Sequence, residues 1–238
     1  MRASPHSKAD PFTRFMKLEQ ELAAGSEVAH MVHASKVLVP GLLQTGDFWN
    51  AWVRANPGLR ARGKVWRQAI WHERRDRAAL VSDGPGIVPH FYIGIGMIDT
   101  LVKLCDPETA IEQLQAVRNA CEEPDKHVRL ARQDDVPGDF YGHYQYGRDG
   151  EPGGWPSGVW YEELGGGATY AGHPDDISGM QDLYANAVEA LEGGLAYSED
   201  RTAAILGLAA SAIKRQQWPE LRSDLGRFTS YGELALKF

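Results

Sequence analysis

The side chains best suited to chemistry in this 238-residue sequence fall into a few small groups. His30 and His33 stand three apart, but in an extended segment positions three apart point to opposite faces, and no cysteine or second histidine pair supports a metal site. His72-Glu73 lacks the second histidine four residues on that a metalloprotease helix needs. Glu162, Glu163, Asp175 and Asp176 could supply paired carboxylates for acid and base work, although His173-Pro174-Asp175-Asp176 also reads as the loop and N-cap of a helix. There is no Gly-x-Ser-x-Gly elbow, and neither Gly94-x-Gly96 nor Gly165-Gly166-Gly167 is followed by the Lys-Ser/Thr of a phosphate loop. These patterns give no catalytic residue, no metal ligand and no cofactor.

A richer set is aromatic. Phe140, Tyr141, Tyr144, Tyr146, Trp160, Tyr161 and Tyr170 lie in segments of period two, where one row of side chains enters the core and the other faces out, and Trp155 stands in the Gly- and Pro-rich loop 147–158 between them. An outward row with His143 beside it would make a surface for a small molecule or a peptide. Tyr141, His143, Tyr144, Trp160 and Glu162 are therefore candidate binding residues.

These residues must be held by both strands and helices. Asp10-Pro11 and Asp106-Pro107 are helix starts, each an N-cap followed by proline. Residues 64–81 and the segment that starts at Asp106-Pro107 and is closed by Pro124 read as helices, as do the apolar stripe from Ile177 to Leu191 and the segment capped by Ser198. Residues 27–39 lean to a strand, residues 87–95 form another with Pro89 marking an edge or bulge, and 127–171 reads as an antiparallel meander. The expected fold is α+β, a single domain with helices at both ends around an antiparallel sheet of about four strands built from 87–95 and 127–171. Residues 1–10 would be a flexible N-terminus, 11–215 the domain, and 216–238 an extension packed on it, because Trp218, Leu221, Leu225 and Phe228 are too apolar for a disordered tail.

Composition narrows the function. A net charge of −7 argues against a phosphate-backbone binder. The basic run from Arg54 to Arg77 reads as a solvated or paired helix face. No stretch is long and apolar enough to span a membrane, and the first residues are no signal peptide, so a cytoplasmic location is expected. Cys105 and Cys121 read as reduced core residues.

One segment combines a rigid stop, a permissive turn and a helix start: Val39-Pro40-Gly41-Leu42-Leu43-Gln44-Thr45, with Thr45 as N-cap and Asp47 in the first turn that follows. This heptapeptide resembles the signature of a bacterial family of antitoxin-like transcriptional regulators. In that family an Xre-type helix-turn-helix precedes a domain whose biochemical activity is unassigned. Leu18-Glu19, Arg74 to Leu80, Gln113-Leu114-x-x-Val117, Val159 to Glu162, Ala190-Leu191 and Ser198 to Arg201 follow in the family's order. The resemblance covers about residues 12–213, and Ala78 stands where the family's glutamine is usual.

Only about ten residues precede the first expected helix, so the chain is expected to lack the DNA-reading half and not to bind DNA directly. The resemblance implies a stand-alone effector domain acting in regulation through a protein partner or a small-molecule effector, with homo-oligomers compatible. Pro40, Gly41, Leu42 and Gln44 join the candidate binding residues on this ground. The alternative is a small-molecule enzyme with its pocket on the aromatic sheet and His143, Glu162 or Glu163 as acid and base. The residues favour binding over catalysis.

Overall fold

The computed structural model describes residues 28–83, 88–132, 141–148, 159–162, 168–171 and 189–225. The first expected helix, Trp155, and the apolar stripe from 177 to 188 lie outside them.

Helix starts follow the capping chemistry of the sequence. The Thr45 hydroxyl accepts from the Phe48 amide at 3.3 Å and opens α1, Gly46–Ala55, with Asp47 in the first turn. Asn56 and Pro57 start the short α2, Pro57–Ala61, which leads into the long α3, Lys64–Asp83. Helix α4, Gly96–Leu104, precedes α5, Pro107–Cys121, where Asp106 accepts from the Thr109 amide at 2.9 Å. Ser198 caps α6, Glu199–Lys214, and α7 runs from Trp218 to Asp224. The Trp218 indole and the Arg222 guanidinium both donate to Asp99 of α4.

Six strands among the described residues form one sheet: β1 Val28–Ser35, β2 Val88–Gly94, β3 His127–Ala131, β4 Tyr141–Arg148, β5 Val159–Glu162 and β6 Ala168–Ala171, in the spatial order β3-β2-β1-β4-β5-β6. The expectation of an antiparallel sheet of about four strands is overturned, because β1, β2 and β3 are mutually parallel. The cause lies in the connections. Helices α1 to α3 separate β1 from β2, and α4 and α5 separate β2 from β3. Such long helical crossovers carry the chain back to start the next strand in the same direction, whereas an antiparallel neighbour needs only a short turn. Alternation of strand and helix is the pattern of a βαβαβ unit, and only the broad α+β class survives from the expectation.

Pro89 also follows from this topology. It pairs with Met31 of β1 but precedes His90, the first β2 residue paired with β3, so it sits where β2 has one neighbour. From His90 onward β2 is interior. The outer edge of β3 is closed by later chain: Ala131 bridges Ala196, the Tyr197 amide donates to the Leu130 carbonyl at 2.8 Å, and the Leu130 amide donates to the Thr202 hydroxyl at 2.9 Å.

One apolar core lies between the parallel strands and the helices. Phe91, Ile93, Val128 and Leu130 meet Phe48 and Trp49 of α1, Met97 and Leu101 of α4, Leu114 and Val117 of α5, Leu206 and Ala209 of α6, and Leu221 of α7. Truncating Leu114, which is fully buried, to alanine should lower folding stability by about 2–5 kcal/mol through lost burial and the cavity left behind. A urea titration with unchanged slope would show it.

The cysteines are free and half-buried, packed against this core and not inside it. Burial pushes the Cys105 thiol up to about 11 and the Cys121 thiol up to about 12, from a usual value of 9.0. A raised thiol pKa means that folding favours the neutral form. That stability is complete below pH 9 and is lost as pH rises from there toward 11–12. Urea midpoints should therefore fall between pH 8.5 and pH 10.5, and Cys121→Ala should flatten the decline. A decline as steep in that variant would assign it to other groups.

Candidate functional site

The heptapeptide forms a tight corner at the carboxyl end of β1, the region where open sheets with parallel strands hold ligands. The Leu38 amide donates to Ser35 Oγ at 3.2 Å as the chain leaves the strand. Pro40, with φ −49° and ψ 136°, then starts a single 3-10 turn over Gly41–Leu43, closed by the Leu43 amide on the Pro40 carbonyl at 2.9 Å. Val39, Pro40 and Leu43 are buried, while Gly41 and Leu42 keep partial exposure.

Two side chains from distant helices lock this turn. Gln113 of α5 is fully buried; its Nε2 donates to the Leu43 carbonyl at 2.7 Å, and its Oε1 accepts from the Thr45 amide at 2.7 Å. Gln44 donates to the Val39 carbonyl at 2.8 Å and accepts from Arg74 Nη1 of α3. The Arg74 guanidinium also stacks 4.4 Å from the Trp49 ring centroid. Of the four corner residues expected to meet a ligand, Pro40 and Gln44 are thus engaged within the chain, which leaves Gly41 and Leu42 as its accessible part. Three widely separated motifs, 39–45, Arg74 and Gln113, come together here.

The sheet positions expected to form one surface are divided by register. Tyr144 pairs with His33 on one side and with Trp160 on the other, and His33 pairs with Phe91, so these positions share the core-facing side of the sheet. His143 pairs with Ala34 and Tyr161 on the opposite side. Tyr141 lies opposite Ser35, beyond an irregularity in the β1–β4 ladder, and Glu162 pairs with Ala168.

That opposite side carries a cluster that reading the strands singly missed. His90 and His127 are paired, with ring centroids 4.4 Å apart, and His127 Nδ1 lies 2.7 Å from Glu199 Oε1 at the start of α6. Tyr92 and Arg129 are paired one step along. The buried Tyr92 hydroxyl donates to Glu192 at 2.8 Å, in the π-helical turn Leu191–Leu195. Burial, that hydrogen bond and the Glu192 charge hold the phenol far above its ordinary range, while Arg129 pulls it down in part. Arg129 Nε is buried with no hydrogen-bond partner among the described residues. The signal for this cluster was in the sequence as two matched alternations, His90-x-Tyr92 and His127-x-Arg129, and needed the parallel register to be read.

Among the described residues no group of three or more His, Cys, Asp or Glu side chains is placed to hold a metal ion, and no helix is long and apolar enough to cross a membrane.

Fold and geometry define an α+β protein whose parallel βαβαβ unit carries a locked corner at one strand end and a titratable cluster on its second face. The chain belongs to the family described as Domain of unknown function (DUF5753), which matches residues 13–207. No curated protein and no solved structure matches it.

Proposed function

We propose that the chain is an effector-binding domain of the kind that accompanies antitoxin-like transcriptional regulators, and that its effector is a small molecule bearing a carboxylate or phosphate. The observation that carries this reading is the sheet-face cluster. Arg129 offers a buried Nε–H that lacks an acceptor, next to Tyr92 and one residue pair from the His90–His127 couple. A buried donor left unpaired costs about 1–3 kcal/mol, and an anion arriving there would recover it. The locked corner supplies a route for a response. Arg74 and Gln113 tie it to α3 and α5, so a ligand or partner touching Gly41 and Leu42 would bias both helices together. The regulatory role rests on the family resemblance at 39–45.

The test is thermal unfolding of the purified chain with a panel of small carboxylates and phosphates. A ligand at one hundred times its dissociation constant stabilises the folded state by about 2.7 kcal/mol. At least one compound should raise the melting temperature of the wild type and fail to do so in Arg129→Met. Binding of the purified chain to duplex DNA of any sequence at physiological salt, with no anion effect, would overturn the reading.

A further inference from the structure

The 20-residue helix α3 is about 30 Å long, and of its described side chains only Ile70 and Arg74 are buried. Its main contact with the rest of the described chain is the 3-10 turn of the corner. The approach to it is basic. Arg54, Arg60, Arg62, Lys64 and Arg67 fall within fourteen residues that contain no Asp or Glu. Removing these five from the 25 basic residues leaves 20 against 32 acidic ones elsewhere, a net of −12. Val65, between Lys64 and Arg67 near the end of this run, is 81% exposed.

A complementary surface lies on the other flank of the same corner. An open hollow of about 790 Å3 runs along the outer side of α5 and reaches Thr45; Ile111 and Ala116 line it, with Glu108 and Glu112 on it and Lys214 of α6 also lining it. Asp106, the exposed cap of α5, adds a third acid at that end. One surface is an exposed apolar side chain within a basic stretch of sequence, and the other an apolar recess bearing acids. The helices that carry them, α3 and α5, both contact the 3-10 turn, α3 through Arg74 and α5 through Gln113. Two complementary patches on either side of one feature are what a two-fold axis uses, since each copy then offers both halves of the contact.

We infer that this face is a reciprocal dimer interface, with the Arg60–Arg67 segment of each copy seated on the α5 hollow of the other. The balance of charge favours a second copy over a nucleic acid. A duplex carries one charge per about 1.7 Å and would meet the acidic remainder of the chain, whereas a protein contact senses charges within a screening length of about 8 Å. An apolar centre inside a charged rim is also the anatomy of protein contacts. This inference stands apart from the effector reading and does not need it.

The experiment is light scattering and sedimentation equilibrium of the full chain at 50 mM and 500 mM NaCl. The wild type should dimerise at low salt and dissociate at high salt. Lys64→Glu and Glu112→Lys should each raise the dimer dissociation constant about tenfold or more while leaving circular dichroism unchanged. An equimolar mixture of the two variants should recover the dimer, because the exchanged charges again face opposite signs. Wild type that stays monomeric at every concentration, a dimer indifferent to both substitutions, or a monomer that binds polyglutamate or duplex DNA through Lys64 would each overturn the inference.

Discussion

Replacing Gln113 by leucine is expected to lower folding stability by about 2–4 kcal/mol, although the two side chains are close in volume. The loss is polar and not a matter of packing. Among the described residues Gln113 alone satisfies the Leu43 carbonyl and the Thr45 amide through the bonds described at the corner, and it is fully buried, so leucine would leave both backbone groups without that partner, the Leu43 carbonyl in the buried part of the corner and the Thr45 amide in its partly exposed part. Each orphaned group costs about 1–3 kcal/mol. Gln113→Glu tests the same point from the other side. It keeps an acceptor for Thr45 but turns a second acceptor toward the Leu43 carbonyl, so at neutral pH it should be at least as damaging as leucine. Urea titration reads both variants. A loss below about 1 kcal/mol for leucine would mean that the turn has another source of hydrogen bonds.

Gly94→Ala is expected to have an effect of similar size for a different reason. Gly94 closes β2, and a Cβ built there would lie 2.3 Å from the Lys36 carbonyl oxygen of the segment that leaves β1. No rotamer relieves a clash with backbone, so β2 or the chain entering the corner must shift. Overpacking of this kind costs about 1–3 kcal/mol and sometimes more. The side effect is informative: the shift acts on Lys36, four residues before Pro40, so the variant should also loosen the corner. Amide exchange at Leu43 and Thr45 should speed up in Gly94→Ala by more than the global loss of stability explains. Exchange that follows global stability alone would separate the strand end from the corner.

The legible parts of the fold were the ones fixed by local chemistry. Thr45, Asp106 and Ser198 cap helices because a short side-chain oxygen satisfies amides three residues on, and that needs no knowledge of the rest of the chain. Strand direction is not local. The segments 27–39, 87–95 and 127–131 were each readable as extended, but their mutual direction is set by the helices that intervene, and the aromatic residues of 140–171 drew attention to the antiparallel half. The corner was recognisable from Pro40 and Gly41. Its lock was not, since Gln113 lies about seventy residues from the groups it binds and a buried glutamine leaves no periodic mark. For the same reason Gln44 read as a surface contact when its amide is committed to Val39 and Arg74. The sheet-face cluster was hidden by register: His90 and His127 become neighbours only after β2 and β3 are laid side by side in parallel.

The position of β1 bears on how the chain is made. It is central in the sheet, yet both neighbours are synthesised long after it: its first β2 pairing joins His30 to Val88, and its first β4 pairing joins Val28 to Arg148. At about 5–20 residues per second, seconds pass before β2 exists, and about twice as long before β4 does. Through that interval the Val28–Ser35 segment is an extended, largely apolar stretch with no strand to join, and the corner behind it cannot close until α5 delivers Gln113. A nascent chain of this design depends on being kept from its neighbours on the ribosome, and its yield should respond to chaperone supply and translation rate more than to the stability of the finished fold.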